Sequence, residues 1–320
     1  MREAFFIKQN KDKWTKIEAE EHSNPSADDL ADNFIELTDD LSYAKTFYTG
    51  SKTEKYLNRL AGKYFIGIYK HRKKESGRFL HFWKKELPLT MYQRRRNMLY
   101  SFLFLLLGVV LGAFSASQDT SFVRLILGDS YVNMTLNNIE IGDPMAVYKN
   151  MDSGPMFFFI STNNIKVAFL AFIFGIFLSV GSVFILFSNG VMLGAFQFFF
   201  YQKGLLATSM LSIWLHGTLE ISAIVIAGGA GLAIGNSLLF PKSYSRMYAL
   251  TKATKDALKI VVGLVPVFIV AAFIESYLTR LTEMPVAFNL IIIGASAAFI
   301  IFYFFYYPYK LNKSLNKNEL

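Results

Sequence analysis

Six stretches of this chain are too apolar and too poor in charge to be at home in water, and they limit its fold more than anything else. A hydrocarbon core about 30 Å thick is crossed by about 20 apolar residues of helix, and helices satisfy their backbone polar groups internally. Residues 98–117 hold no charged side chain and follow Arg94, Arg95 and Arg96. Residues 165–187 carry only Lys166, near their start. Residues 189–202 are short for a full crossing, so they read as a tilted short helix or as half of a helical hairpin. Residues 205–240 are too long for one simple span and contain His216 and Glu220. They read as one long helix, with a break near Gly228-Gly229 as the alternative. Residues 260–278 contain Pro266, and residues 286–307 end in an aromatic run from Tyr303 to Tyr307 that suits a membrane interface. The fold class that follows is all-α: a polytopic helical membrane protein with about six transmembrane segments.

Composition agrees and adds an asymmetry. Of the 320 residues 53% are hydrophobic and 18% charged, against about 25% charged in soluble domains. Residues 1–97 hold 20 of the 33 Lys and Arg and 14 of the 24 Asp and Glu, so a water-solvated part precedes a lipid-solvated one. The net charge of +9 could suggest nucleic acid. The basic residues instead flank the apolar stretches, where they meet anionic lipid, and no aromatic-basic platform accompanies them. Membrane lipids are therefore expected partners and nucleic acid is not. There is no cysteine, which excludes disulfides, thiolate metal sites and cysteine nucleophiles. Residues 1–16 have no uninterrupted apolar core, so no cleavable signal peptide is expected.

Positive charge orients the chain. Segment 118–164 carries five acids, Asp119, Asp129, Glu140, Asp143 and Asp152, against Arg124 and Lys149. Segment 241–259 carries five basic residues against Asp256, and the tail carries Lys310, Lys313 and Lys317 against Glu319. With six spans every basic segment falls on one side and the acidic loop on the other, so both termini are expected in the cytoplasm. The expected organisation is a cytoplasmic module at 1–97, a transmembrane domain at 98–309 with an extracytoplasmic loop at 118–164, and a cytoplasmic tail at 310–320. In a bacterial cell the location would be the inner membrane.

The N-terminal module alternates apolar and charged positions at helical spacing. Leu30, Phe34, Leu37, Leu41 and Ala44 draw one stripe, with Ser26 as N-cap and Asp28 and Asp29 in the first turn. Tyr56, Leu57, Leu60, Tyr64 and Ile68 draw a second, opened by a turn at Thr49-Gly50-Ser51. Phe79, Phe82 and Trp83 with Lys84 and Lys85 read as an interfacial helix against the inner leaflet. A bundle that docks under the membrane part and a surface that recruits a soluble partner both fit this pattern.

Charges inside a bilayer cost about 2.5–3.5 kcal/mol each on insertion scales, so each asks for a reason. His216 and Glu220 are four apart and share a helix face, with Ser222 just beyond. Three readings stay open: a structural polar pair, a proton- or substrate-linked site, and a metal or catalytic site. The last lacks ligands, because His22, His71 and His81 lie in the cytoplasmic part and neither H-E-x-x-H nor G-x-S-x-G occurs. No catalytic residue, metal or cofactor is therefore expected, and an intramembrane hydrolase is the least favoured class. Ala227, Gly228, Gly229, Gly231 and Gly235 follow. Gly231 and Gly235 form G-x-x-x-G, which points to close helix packing or dimerisation, with a flexible break as the alternative. Asn163 and Asn164 read as caps at the entrance to the second span, and Asn189-Gly190 as a tight turn. Glu275, with Arg280 nearby, reads as a surface ion pair.

These elements together resemble the stage II sporulation protein M family of polytopic membrane proteins. The resemblance is carried by Asp40-Leu-Ser-Tyr-Ala-Lys-Thr-Phe-Tyr48, Tyr56-Leu-Asn58, Phe82-Trp83, Glu86-Leu-Pro88 and Asn163-Asn164-Ile165 with Gly175. It continues in Asn189-Gly190 with Gly194, His216-Gly217, Glu220, Ala227 to Gly231, and Ala271-Ala-Phe-Ile-Glu275. The resemblance implies a membrane protein that joins peptidoglycan-degrading partners during envelope remodelling in spore formers. In other bacteria it implies a neighbour of AAA ATPases, and the long N-terminal module is similar to that second branch. A non-enzymatic scaffold, forming a homo-oligomer (a dimer), is the function this favours. A transporter, flippase or channel-like protein using His216 and Glu220 is the alternative, although no inverted repeat is evident.

Overall fold

The computed structural model describes residues 2–20, 27–70, 77–149, 151–281 and 284–318. Every regular element among them is helical, and the chain divides into two compact units, Met1–Arg78 and Phe79–Leu320.

The first unit contains α1 (Glu3–Glu20), α2 (Ala27–Phe47) and α3 (Lys52–Lys70). Both predicted stripes point inward: Leu30, Leu37, Leu41 and Ala44 meet Leu57, Leu60 and Tyr64 in one core, with Phe34 and Tyr56 half-buried at its edge. Phe6, Trp14 and Ile17 of α1 complete it. A fully buried side chain of this size contributes about 1.5–3 kcal/mol, which is what holds so small a unit together. Polar tips are paired as burial demands. Trp14 Nε1 donates to Asp40 Oδ2 at 2.8 Å, the Tyr64 hydroxyl to the Ile17 carbonyl at 2.6 Å, and the Tyr56 hydroxyl to Glu18 Oε2 at 2.8 Å. The predicted turn is present: Gly50 takes φ +78°, a left-handed conformation that favours glycine. Behind it Glu54 N–H donates to Ser51 Oγ and Glu54 accepts from Gly50 N–H, a reciprocal cap on α3. Ser26 and the side chains of Asp28 and Ile68 lie outside the described residues.

In the second unit six helices are long and apolar enough to cross a membrane: Arg78–Gln118, Ser153–Ile176, Val180–Gln202, Leu206–Leu239, Arg246–Leu278 and Val286–Asn316. The first joins α4 (Arg78–His81), a π-helical turn at Phe82–Glu86 and α5 (Leu87–Gln118). The residues of the predicted interfacial helix form the first turns of this rod. The π turn frees carbonyls, and two are taken up from the far end of the chain. The Tyr303 and Tyr307 hydroxyls donate to the Trp83 and Lys84 carbonyls at 2.8 and 2.9 Å. Two short helices follow, α6 (Thr120–Leu127) and α7 (Asp129–Glu140), and then α8 (Ser153–Ile173). The segment between the first two spans is thus 119–152, shorter than the predicted 118–164.

The second and third spans differ most from the sequence reading. Residues 165–187 are not one span: α8 ends in a short 3₁₀ turn at Phe174–Ile176, Leu178 and Ser179 take φ +51° and +71°, and α9 runs Val180–Gln202 as a full-length helix. The reversal is apolar and carries no Pro or Asn-Gly signal, so hydropathy runs straight through it. Asn189-Gly190, read as a turn, lies in the middle of α9, where Asn189 Nδ2 donates to the Ile185 carbonyl at 2.8 Å. Asn163 and Asn164, read as caps, lie inside α8. The remaining helices are α10 (Leu206–Leu239), unbroken at Gly228-Gly229, then α11 (Arg246–Phe273) with a π turn at Ile274–Leu278, α12 (Val286–Ile300), a further π stretch at Ile301–Tyr306, and α13 (Tyr307–Asn318).

Helix α10 is the axis of the unit, buried from Leu215 to Gly235 save Glu220, Ile221 and Ser222, which are partly exposed. Lipid gives apolar helices no hydrophobic reason to associate, so close backbone packing and hydrogen bonds must do it. Ala227 is fully buried, and the four glycines after it are spent inside the chain: a methyl on Gly228 would strike Leu186, on Gly229 Met98, on Gly231 the Ala171 carbonyl and on Gly235 Ser179. The G-x-x-x-G face is therefore an internal packing face. A second interlock, without a predicted role, joins α5 and α9, where Gly108 and Gly112 face Gly190, Val191 and Gly194. Ser101 Oγ donates to the Val225 carbonyl and Ser182 Oγ to the Ala171 carbonyl, each at 2.6 Å. At the end of the bundle carrying the first basic cluster, Arg94 Nη2 meets Asp256 Oδ2 at 2.6 Å and Lys259 Nζ meets Glu86 Oε2 at 2.8 Å.

Candidate functional site

The polar centre of the membrane unit is assembled from three helices. Residues four apart on a helix stack on one face, so His216 and Glu220 of α10 point the same way. Ser222 is 200° around the axis from Glu220 and does not line the cavity that His216 and Glu220 face. The third member is Glu275, carried by the π turn that closes α11. The extra residue of such a turn re-aims the side chains that follow it. Glu275 Oε1 lies 3.7 Å from His216 Nε2, and ligand atoms of His216, Glu220 and Glu275 all lie within 4.8 Å of one another. The predicted surface pair of Glu275 with Arg280 does not form. Arg280 donates instead to Ser153 Oγ and to the Met151 carbonyl, which holds the end of α11 to the start of α8 and leaves Glu275 turned inward.

The other imidazole nitrogen is also held. His216 Nδ1 lies 3.2 Å from Thr279 Oγ1, and that hydroxyl donates to the Ile274 carbonyl at 3.3 Å. A hydroxyl donating to a carbonyl offers its lone pair to an N–H, so the pattern assigns the proton to Nδ1. Nε2 then faces the glutamates as a bare lone pair. Asn164 of α8 lies beside the Glu220 carboxyl, 6% exposed, and its Nδ2 has no hydrogen-bond partner among the described residues. Asn163 faces out and takes no part.

A cavity of about 360 Å³ opens onto this group. Leu105, Phe196 and Ile224 form its apolar wall, Asn189 joins His216 and Glu220 as its polar lining, and Tyr131 and Tyr148 of the 119–152 segment form its lid. The Tyr148 ring meets the His216 imidazole edge to face, with centroids 5.9 Å apart. Burial pushes the Tyr148 hydroxyl well above its ordinary range, and the nearby carboxyls of Glu275 and Glu220 and the Tyr131 hydroxyl push it further, so it stays protonated and able to donate. Burial likewise pushes Tyr131 up to about 12, against the opposite pull of Thr135. An apolar pocket with a few convergent polar groups is the usual form of a small-ligand site.

Of the sequence candidates, the fold brings together His216, Glu220, Glu275, Asn164 and Asn189. Tyr148 and Thr279 carried no signal strong enough to find them, although Thr279 is four residues after Glu275 and so shares its side of the helix end.

Comparison with known proteins places this part of the chain in a family. The model of the stage II sporulation protein M family matches residues 101–280, more than half of the chain, and spans every residue of the polar centre. Residues 4–70 match a separate model, a domain of unknown function (DUF8413). The N-terminal strings at 40–48 and 56–58 thus fall in that second domain. No curated protein and no solved structure matches the chain.

Proposed function

The chain belongs to the stage II sporulation protein M family, and on that premise we propose that it is a non-enzymatic membrane scaffold for complexes that remodel the cell envelope. One observation carries the reading: the membrane unit is a glycine-locked frame around α10, built for rigidity, while the first unit is a helical domain with a core of its own. A frame that inserts once and presents separate water-soluble parts suits assembly better than turnover. The charge pattern orients it with both termini in the cytoplasm of a cell whose inner membrane it spans. In that orientation the first unit meets cytoplasmic partners of the AAA ATPase kind, and the 119–152 segment meets peptidoglycan-remodelling partners outside. A homo-dimer would use helix faces other than the Gly231 and Gly235 face.

The test is affinity purification of the full chain from native membranes, beside a chain lacking residues 2–70. Cytoplasmic partner proteins should accompany the first and be lost from the second, which still inserts and keeps the partners of its 119–152 segment. A shortened chain that restores a deletion strain fully would overturn the proposal.

The second reading is transport of a small solute or ion, favoured by the cavity at His216 and Glu220. It expects Glu220→Gln to abolish flux in proteoliposomes. Full complementation by both His216→Ala and Glu220→Gln would remove it.

A further inference from the structure

Three lone-pair donors converge inside an apolar helix bundle, toward the end that the 119–152 segment covers, and nothing among the described residues supplies the positive partner they need. We infer that His216, Glu220 and Glu275 form a binding site for one divalent transition-metal ion of the zinc class, open on its fourth side to the cavity under Tyr148. The inference does not depend on the scaffold reading.

Ligand type is the first argument. One imidazole nitrogen and two carboxylates are a ligand set that zinc accepts, and three protein ligands with one open position is the pattern of accessible rather than closed sites. The second is the support of the histidine. A metal-binding imidazole nearly always donates its other N–H to a fixed acceptor, which sets the tautomer and aims the bare nitrogen. Thr279 does this here, its hydroxyl anchored on the Ile274 carbonyl, which also accepts the Thr279 N–H of the π turn. The third is charge. A neutral imidazole, two carboxylates and a doubly charged cation sum to zero, whereas without the cation two carboxylates would share a site of low dielectric. The fourth is Asn164, whose buried amide nitrogen lies unpartnered beside Glu220 and is placed to donate to that carboxylate or to a water on the metal. Zinc ligands lie about 3.4 Å apart when each is about 2.1 Å from the ion, so the glutamates need to draw in by about an ångström.

The test uses the full chain in detergent, freed of its purification tag, stripped with a chelator and then titrated with Zn²⁺ and separately with Co²⁺. Metal analysis should find about one equivalent per chain, and Co²⁺ should give the visible absorption of a low-coordinate site. Glu275→Gln and Glu220→Gln should each weaken binding about 100-fold or more, and Thr279→Val about 10- to 100-fold. Glu140→Gln, at an exposed acid of α7, should leave it unchanged. Failure of the folded wild type to take up either metal would overturn the inference and leave the group held by protons. Uptake that Glu275→Gln does not weaken would overturn it equally. The wild-type titration needs no variant to fold.

Discussion

Replacing Gly194 by alanine adds one methyl group where α9 rests on the backbone of α5. The new carbon would overlap the Val109 carbonyl oxygen and sit 2.8 Å from the Ala113 nitrogen, against about 3.5–4.0 Å for a comfortable contact. Both are backbone atoms of a helix, so no side chain can turn aside, and the two helices must part by about an ångström. Overpacking of this kind costs about 1–3 kcal/mol. Parting the helices also loosens the neighbouring approaches at Gly108, Gly112 and Gly190, where each weak Cα–H···O contact contributes about 0.5–1 kcal/mol. Alanine's better helix propensity returns about 1 kcal/mol. A net loss of about 2–4 kcal/mol follows. The assay is reversible unfolding in mixed micelles of a mild detergent and SDS, read by circular dichroism. Gly294→Ala on α12, where a methyl meets open space, serves as the reference and should be neutral or slightly stabilising. If Gly194→Ala unfolds within about 0.5 kcal/mol of wild type, the interlock between α5 and α9 is not what holds them.

Two further outcomes are expected. Asp256→Asn leaves the largely buried Arg94 without its carboxylate and should cost about 2 kcal/mol in the same assay, with the exchange Arg94→Asp and Asp256→Arg recovering part of it; equal stability of the single variant would contradict this. Tyr56 is pushed up to about 12 by burial and its bond to Glu18, so the folded chain keeps that proton longer than the unfolded chain. The stability it contributes is fully present below pH 10 and lost as pH rises through about 12; Tyr56→Phe should flatten that part of the first unit's alkaline melting profile, and an unchanged profile would refute the assignment.

The membrane character, the number of spans and both inward stripes of the first unit were legible in the sequence, because hydropathy and helical period are local properties that burial merely confirms. His216 and Glu220 were legible for the same reason: a charge in an apolar run is conspicuous, and spacing of four puts two on one face. Boundaries were not. The reversal at Leu178 and Ser179 has no proline or Asn-Gly signal, since its backbone N–H groups are met within the turn itself, Phe177 by the Phe174 carbonyl, Ser179 by Gly175 and Val180 by Phe177, and the full-length α9 was misread in consequence. Gly190 and Gly194 illustrate the limit from the other side, because glycine permits both a turn and a close approach, and only the presence of α5 opposite selects the second. Glu275 shows it most sharply. Its sequence neighbour Arg280 suggested a surface pair, and only a π turn and the docking of α11 on α10 carry it inward to His216, more than fifty residues away along the chain. The six apolar stretches determined that a bundle forms in lipid; which polar groups meet inside it was decided by how the helices dock, a property no single stretch contains.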